Sequence, residues 1–204
     1  MSPITTNASM ICFAILAGFA LAAVQENKPK PAELTKPADQ PKPGQDYEKW
    51  AKLGEPNEHH ARLQKLVGTW TVEFTIPSPD GEMKSIGSAE YKPMHGGRFV
   101  TEQVQCDLGG TPFEWFGIYG YDNIKKKYTA VWVDNLGTGF ELAEGYAAGD
   151  AITFIGETQE TPDELFRFKW IVRIEDAGNV KIDMHKIEKD GKEPLQMSMR
   201  LRRK

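Results

Sequence analysis

Hydrophobic and polar residues alternate with a period of two through most of residues 69–202. In the first such run, Trp70, Val72 and Phe74 alternate with threonines and a glutamate, which is typical of a strand with one buried face. Nine further runs follow, at residues 83–91, 98–108, 113–121, 126–134, 140–146, 151–158, 164–175, 180–187 and 195–202. The connections are short and rich in turn residues, which leaves no room for crossover helices. The pattern predicts an all-β protein, an up-and-down antiparallel barrel of about ten strands that leaves no open edges.

One short helix is predicted before the first strand. Asn57 has a residue type preferred at a helix N-cap, and Gly68 ends the segment. Between them, positions i, i+3, i+4 and i+7 are occupied by His60, Leu63, Gln64 and Val67. This spacing places them on one helix face, so we expect His60 to pack at one end of the barrel rather than to act in catalysis.

The beginning of the chain predicts export. The apolar run at residues 10–24 is 15 residues long, shorter than the roughly 20 residues that a membrane-spanning helix needs. It ends in Ala20-Leu21-Ala22-Ala23, with the small residues that signal peptidase prefers. We therefore interpret residues 1–23 as a signal peptide cleaved after Ala22 or Ala23, and the protein as periplasmic or secreted, without stable membrane insertion. The segment before the run lacks Lys and Arg, so an uncleaved membrane anchor is the alternative.

The next segment differs in composition from the barrel. Residues 24–55 are rich in Pro and Lys and contain few large apolar residues before Tyr47, which predicts a disordered tether. Its prolines would also suit a partner with an aromatic groove, although a plain spacer between the signal peptide and the domain is the favoured interpretation. The barrel domain is then predicted to span residues 56–204.

Charge and cysteine content exclude several classes of protein. The chain has 204 residues and a formal net charge of −4, whereas a nucleic-acid-binding protein usually has a basic surplus. Its two cysteines, Cys12 and Cys106, are too few for a disulfide scaffold or a thiolate zinc site. Cys106 has no Cys-x-x-Cys partner or nearby histidine, and the chain contains no Gly-x-Ser-x-Gly motif. No catalytic residues are therefore predicted.

Several short motifs resemble known barrels. Gly68-Thr69-Trp70 after a short helix resembles the start of lipocalin-like barrels. The wider set comprises His60, Leu63 and Leu66, then Gly96-Gly97-Arg98-Phe99-Val100, Gly120-Tyr121-Asp122-Asn123, Lys127-Tyr128 and the stretch from Trp132 to Gly139. Together these motifs resemble the bacterial domain-of-unknown-function family 1579, over roughly Glu58 to Lys204. The resemblance implies a lipocalin-like barrel with no settled activity, and structural roles for His60, Gly68, Trp70, Arg98, Tyr121 and Asp122.

The lipocalin resemblance also implies a contact for the basic C-terminus. Such barrels place an arginine of the last strand against the tryptophan of the first, a cation–π pair worth about 0.5–2 kcal/mol. Alternation directs Arg200 and Arg202 outward, whereas Arg203 is able to close the end of the barrel over Trp70.

Haem binding is the main cofactor alternative. Barrels of the nitrobindin type hold haem through a histidine of a late strand, and His185 lies in such a strand. Val180, Ile182 and Met184 form the apolar face there, so alternation places His185 outside. His59 and His60 diverge on their helix and His95 lies in a turn. We therefore expect no cofactor.

The last candidate for a function is the set of large apolar side chains, mostly aromatic, in the barrel interior. The residues predicted to line it are Phe74, Trp132, Phe154, Phe168, Trp170, Met184 and Met199. They either fill the barrel or surround a cavity for one small apolar molecule. Three hypotheses follow: a binding protein for such a ligand, an enzyme or haem protein, and a packed barrel that acts as a protein-interaction module. The phase of the strands that carry Trp115 and Trp132 stays open, because both faces of each are apolar.

Overall fold

The computed structural model describes residues 45–204, apart from the side chains at positions 45, 46 and 160. Two helices, α1 (Gln45–Leu53) and α2 (Glu58–Gln64), precede the strands. The strands are β1 (Gly68–Ser78), β2 (Gly81–Met94), β3 (Phe99–Asp107), β4 (Pro112–Asp122), β5 (Lys127–Asp134), β6 (Glu141–Ala148), β7 (Ala151–Thr161), β8 (Glu164–Ile174), β9 (Asn179–Lys186) and β10 (Leu195–Arg203). The predicted signal peptide and its cleavage site lie outside the described residues.

The ten strands form one closed antiparallel barrel. Each strand pairs with its neighbours in sequence, and β1 closes the ring on β10 with Trp70 opposite Arg203. The predicted up-and-down barrel is therefore confirmed. Neither described helix is long and apolar enough to cross a membrane.

Helix α1 was not predicted, since the sequence analysis assigned residues 24–55 to a disordered tether with one helix after it. The stretch over α1 contains no proline, and Tyr47, Trp50 and Leu53 recur at helical spacing. All three side chains are exposed. The prediction failed here because the composition of the preceding proline-rich residues was extended too far along the chain.

Helix α2 lies across one end of the barrel, which we call the closed end. Gln64 donates a hydrogen bond to the carbonyl of Gly97 between β2 and β3, and Arg62 donates one to the carbonyl of Gly149 between β6 and β7. Leu63 and Leu66 are buried in the core. The other end of the barrel, where β4 begins and β5 ends, has no such helix within the described residues and is called the open end.

The structure settles the phase of β4 and β5. Trp115 and Tyr119 of β4 are buried, while Phe116 between them is 42% exposed. On β5, Tyr128 and Trp132 are buried. Both strands therefore direct their largest aromatic rings into the barrel.

Candidate functional site

Aromatic side chains pack the middle of the barrel tightly. Phe74, Phe154, Phe168 and Met199 are 2% exposed or less. Four residues of the predicted ligand-binding set therefore fill space within the core. The remaining three, Trp132, Trp170 and Met184, lie nearer the open end and line a cavity there.

The open-end cavity has a volume of about 100 Å³. Its lining consists of Phe113, Trp115, Trp132, Asp134, Glu141, Trp170, Met184 and Met197. The rings of Trp132 and Trp170 are stacked, with centroids 5.7 Å apart and planes 22° apart. Trp115 meets Trp170 edge-on at 6.5 Å. Three indoles thus form rigid walls of a cavity with room for about three water molecules, at roughly 30 Å³ each.

A shallow groove continues from this cavity over the rim of the barrel. It has a volume of about 490 Å³ and shares Asp134 and Glu141 with the cavity. Its other lining residues are Gly137, Thr138, Gly139, Thr158, Gln159 and Phe166. The cavity and groove together offer a half-open aromatic pocket followed by a more polar surface.

A buried carboxyl group lies beneath the cavity. Glu102 of β3 is 1% exposed and follows the inward phase of Val100 and Val104. Tyr91 donates its hydroxyl to Oε1 at 2.5 Å, and Tyr119 donates its hydroxyl to Oε2 at 2.7 Å. The indole Nε1–H of Trp132 lies 3.2 Å from Oε2 and 3.1 Å from the Tyr119 hydroxyl oxygen. Glu102 therefore positions Trp132, a wall of the cavity, and is separated from the cavity by that ring.

Burial dominates the electrostatics of this cluster. Desolvation raises the pKa of Glu102 above its ordinary value, although the hydrogen bonds from Tyr91, Tyr119 and the indoles oppose it. Desolvation and the neighbouring Glu102 also raise the pKa values of Tyr91 and Tyr119, so both phenols stay protonated as donors.

Gly117 makes the approach of Trp132 to Glu102 possible. It lies between the two in the sheet, opposite Glu102 on β3 and opposite Trp132 on β5. A Cβ atom at Gly117 would come within 2.6 Å of the Trp132 ring and 2.9 Å of Oε2 of Glu102. Only glycine lets the indole lie flat across β4 and reach the carboxyl group.

Sequence analysis missed Glu102, although a signal was present. The run Val100, Glu102, Val104 places a glutamate in phase with two apolar residues on a half-buried strand. It also missed Glu141, because a residue at the beginning of a strand has too few neighbours to define its phase.

A family model described as a protein of unknown function (DUF1579) matches residues 55–203. The chain belongs to this family. No curated protein matches it. Its resemblance to DUF1579, inferred from the short motifs, is therefore confirmed.

Solved structures similar to this DUF1579 protein are β-barrels. The crystal structure of Rv2717c from M. tuberculosis is 14% identical with a TM-score of 0.51, and the match covers 74% of this chain and 99% of that one. A de novo designed fluorescence-activating β-barrel is 17% identical, with a TM-score of 0.41 and coverage of 70% and 96%. A redesigned β-barrel bound to DFHBI is 16% identical, with a TM-score of 0.38 and coverage of 69% and 100%. The first similarity supports the barrel fold alone, and the two designed barrels are too distant to support an inference.

The tryptophan of the first strand in this DUF1579 barrel is held by the last strand. Trp70 is fully buried, and its Nε1–H donates to the carbonyl of Leu66 at 2.9 Å. The guanidinium of Arg203 lies 4.1 Å from the Trp70 ring and donates to the carbonyls of Val67 and Lys65. Of the three arginines considered, Arg203 therefore makes the cation–π contact. Gly68 has φ of +143°, and a Cβ there would collide with this guanidinium.

The other motif residues of the family match join the N-terminal segment to the barrel. Arg98 donates from Nε to the carbonyl of Gly54 at 2.8 Å. Asp122 accepts hydrogen bonds from two backbone N–H groups of its own turn. Asn123, beside it, donates to the carbonyl of Leu53 at 2.7 Å. Tyr121 stacks on His59 with ring centroids 4.0 Å apart. These contacts give the motif residues structural roles.

The histidines of the described chain stay outside the open-end cavity. His60 completes a capping box with Asn57 at the start of α2, and its burial lowers its pKa. His59 lies 3.0 Å from the Tyr128 hydroxyl at the closed end. His185 pairs across the sheet with Lys169 and reaches the Glu193 carbonyl at 2.9 Å, on the outer side opposite to Met184. The residue considered as a haem ligand thus points away from the interior.

Cys106 is partly buried at the edge of the core. Burial, and to a lesser extent Asp107, raise the pKa of its thiol. A protonated thiol is a weak nucleophile, so this environment does not favour covalent catalysis.

Proposed function

We propose that this DUF1579 protein is an exported, non-catalytic β-barrel that binds one small, largely apolar molecule at its open end. The observation that carries the proposal is the open-end cavity, walled by Trp115, Trp132 and Trp170 in a barrel that is otherwise packed. Indole rings offer a large contact area at little conformational cost. Methionine side chains at the cavity add adaptable apolar surface.

The size of the cavity restricts the ligand. Pockets for drug-sized ligands measure roughly 300–1,000 Å³, whereas the open-end cavity is about 100 Å³ and the adjoining groove is about 490 Å³. A ring or short branched group fits in the cavity beside the indoles, and the remainder of a ligand lies along the groove. A fatty acid buried along the barrel axis does not fit, because Phe154 and Phe168 fill that volume.

Binding is tested by titrating the full-length chain with N-phenyl-1-naphthylamine, a neutral dye that fluoresces in apolar surroundings. We expect saturation at one dye per chain with a Kd below about 100 μM, equivalent to about −5.5 kcal/mol. Trp170→Ala should weaken binding by more than about tenfold, since it removes one face of the stacked pair. Trp50→Ala on the exposed helix α1 is the matched control and should leave binding unchanged. Absence of saturable binding would refute the proposal and favour a packed barrel.

Export has its own test. The Ala20-Leu21-Ala22 sequence supports cleavage that leaves Ala23 or Val24 at the mature N-terminus. Mass-spectrometric sequencing of protein from the cell envelope should find one of these two termini. An intact Met1 there would rule out the cleaved signal peptide.

A further inference from the structure

The open-end cavity has an electrostatic feature that an apolar ligand alone does not explain. Glu141, the first residue of β6, lies opposite Trp132 and lines both the cavity and the groove. Its side chain is half-buried. Within the described residues, no hydrogen bond or ion pair reaches its carboxylate. Burial and the adjacent Asp134 raise the pKa of Glu141, which reflects the cost of this unpaired charge.

Asp134 adds a second negative charge whose position is fixed. Its Oδ1 accepts hydrogen bonds from the backbone N–H groups of Leu136 and Gly137 at 2.7 and 2.8 Å. These bonds hold the carboxylate at the rim of the cavity. Asp134 is therefore able to add to the negative potential near Glu141, but it cannot neutralise that residue.

The rest of the described lining contributes no basic side chain, although Nζ of Lys186 lies 5.4 Å from the centroid of the Phe166 ring at the groove. The other described residues that line the cavity and groove are phenylalanine, tryptophan, methionine, glycine, threonine and glutamine, with no lysine, arginine or histidine among them. The faces of the three indoles carry the negative part of the aromatic quadrupole, which attracts cations. Carboxylates and indole faces therefore favour the same sign of charge in a ligand.

We infer that the molecule bound at the open end carries a positively charged nitrogen, and that Glu141 is its counter-ion. This inference rests on the proposed ligand-binding function and names the chemical class of the ligand, an organic ammonium ion. Its apolar substituents pack against Trp132 and Trp170, and its nitrogen lies towards Glu141. A bare metal ion fits less well, because no group of three or more potential ligands occurs in the described part of the chain and hard cations take six or more oxygen ligands.

The test compares three ligands of similar size that differ in charge. These are 2-phenylethylamine, 2-phenylethanol and 3-phenylpropanoate, each titrated against the full-length chain near pH 7 at physiological ionic strength. Affinity is measured by displacement of N-phenyl-1-naphthylamine and by calorimetry. We expect the amine to bind at least about tenfold more tightly than the alcohol, and the anion to bind most weakly.

Two variants locate the source of this preference. Glu141→Gln should remove most of the preference for the amine, while the affinity for the alcohol changes by less than about twofold. Glu144→Gln is the matched control, since Glu144 lies on the same strand but pairs with Lys125 and Lys127 outside the barrel. This control removes the same net charge and should leave the preference intact.

The outcomes separate the two proposals. If the dye binds but the alcohol competes as well as the amine, the ammonium assignment is wrong and the apolar site stands. If neither dye nor any of the three ligands binds, the proposed function itself fails. If both variants reduce the preference equally, the effect comes from overall charge and Glu141 is not the counter-ion. The comparison of ligands on the unaltered protein decides the first two outcomes even if a variant does not fold.

Discussion

Replacement of Glu102 tests whether a neutral acid or a carboxylate lies beneath the cavity. Glu102→Ala removes the acceptor of the Tyr91 and Tyr119 hydroxyls, whereas the Trp132 indole keeps the Tyr119 oxygen at 3.1 Å. Each buried donor left without a partner costs about 1–3 kcal/mol, so we expect a loss of about 2–6 kcal/mol. Glu102→Gln keeps the shape and one acceptor, and the hydroxyls can rotate to accept from its amide. It should therefore cost less than about 1 kcal/mol where Glu102 is protonated.

The pH dependence of stability is a sharper test than the stability loss of either variant at a single pH. The pKa of Glu102 is raised above its ordinary value of 4.5 in the folded protein, so the folded state holds the proton more tightly than the unfolded state. The resulting stabilisation is complete below about pH 4.5 and is lost as the pH rises through the folded pKa. The side chain in Glu102→Gln does not titrate. Between about pH 4.5 and the folded pKa, the unfolding free energy of the wild type should thus fall relative to this variant by up to about 1.4 kcal/mol per pH unit.

Urea unfolding followed by tryptophan fluorescence at several pH values measures this difference. The difference between wild type and Glu102→Gln cancels the contribution of the other titrating groups to the pH dependence. Glu90→Gln, on the exposed side of β2, controls for the change of net charge. If the stabilities of wild type and Glu102→Gln run parallel from pH 4 to pH 8, the pKa of Glu102 is not raised. If their difference has the opposite slope, Glu102 is stabilised as a carboxylate by its three donors, and the reasoning from desolvation is wrong.

Three further predictions concern the closed end. Trp70→Ala should lower the free energy of unfolding by about 3–5 kcal/mol in urea titrations, because the ring is fully buried; a loss below about 1 kcal/mol would contradict this packing. Arg203→Lys should cost about 1–2 kcal/mol in the same assay, because an ammonium cannot span the carbonyls of two segments while covering Trp70. Arg202→Lys, in an exposed ion pair, should stay within about 0.5 kcal/mol as the control. The pKa of His60 is lowered in the folded protein, so the wild type should lose stability relative to His60→Gln as the pH falls below about 6.5. Glutamine is chosen because it keeps a residue type that forms a capping box. If the unfolding free energies of the two proteins depend on pH with the same slope, the pKa of His60 does not change on folding.

The sequence predicts the inner surface well wherever only one face of a strand is apolar. Phe168 and Trp170 of β8 and Met184 of β9 face inward as alternation requires, because most of their neighbours in sequence are polar or charged. Both faces of β4 are apolar, so periodicity could not decide whether Trp115 or Phe116 was inside. That choice depends on packing against strands that are distant in the sequence.

The candidate site is less predictable because it depends on differences between buried positions. Alternation identifies Phe74 as an inward residue and leaves the phase of Trp132 open. Only the barrel geometry shows that Phe74 is packed whereas Trp132 borders a cavity. Glu141 is neither apolar nor part of a motif. Its place beside the indoles follows from the pairing of β6 with β5, a contact that no local pattern encodes.

Trp132 connects the stability of the barrel with its proposed binding site. One edge of its indole donates to the Glu102 and Tyr119 oxygens, while its face stacks on Trp170 at the cavity. A ligand that packs on this indole binds only the folded state, so it stabilises the protein by RT ln(1 + [L]/Kd), about 2.7 kcal/mol at 100 times Kd. The polar contacts beneath the ring fix its orientation before a ligand arrives, and they reduce the ordering cost of binding. If the barrel binds a ligand as proposed, we expect Glu102 to influence affinity without touching the ligand and Glu141 to influence it through direct contact.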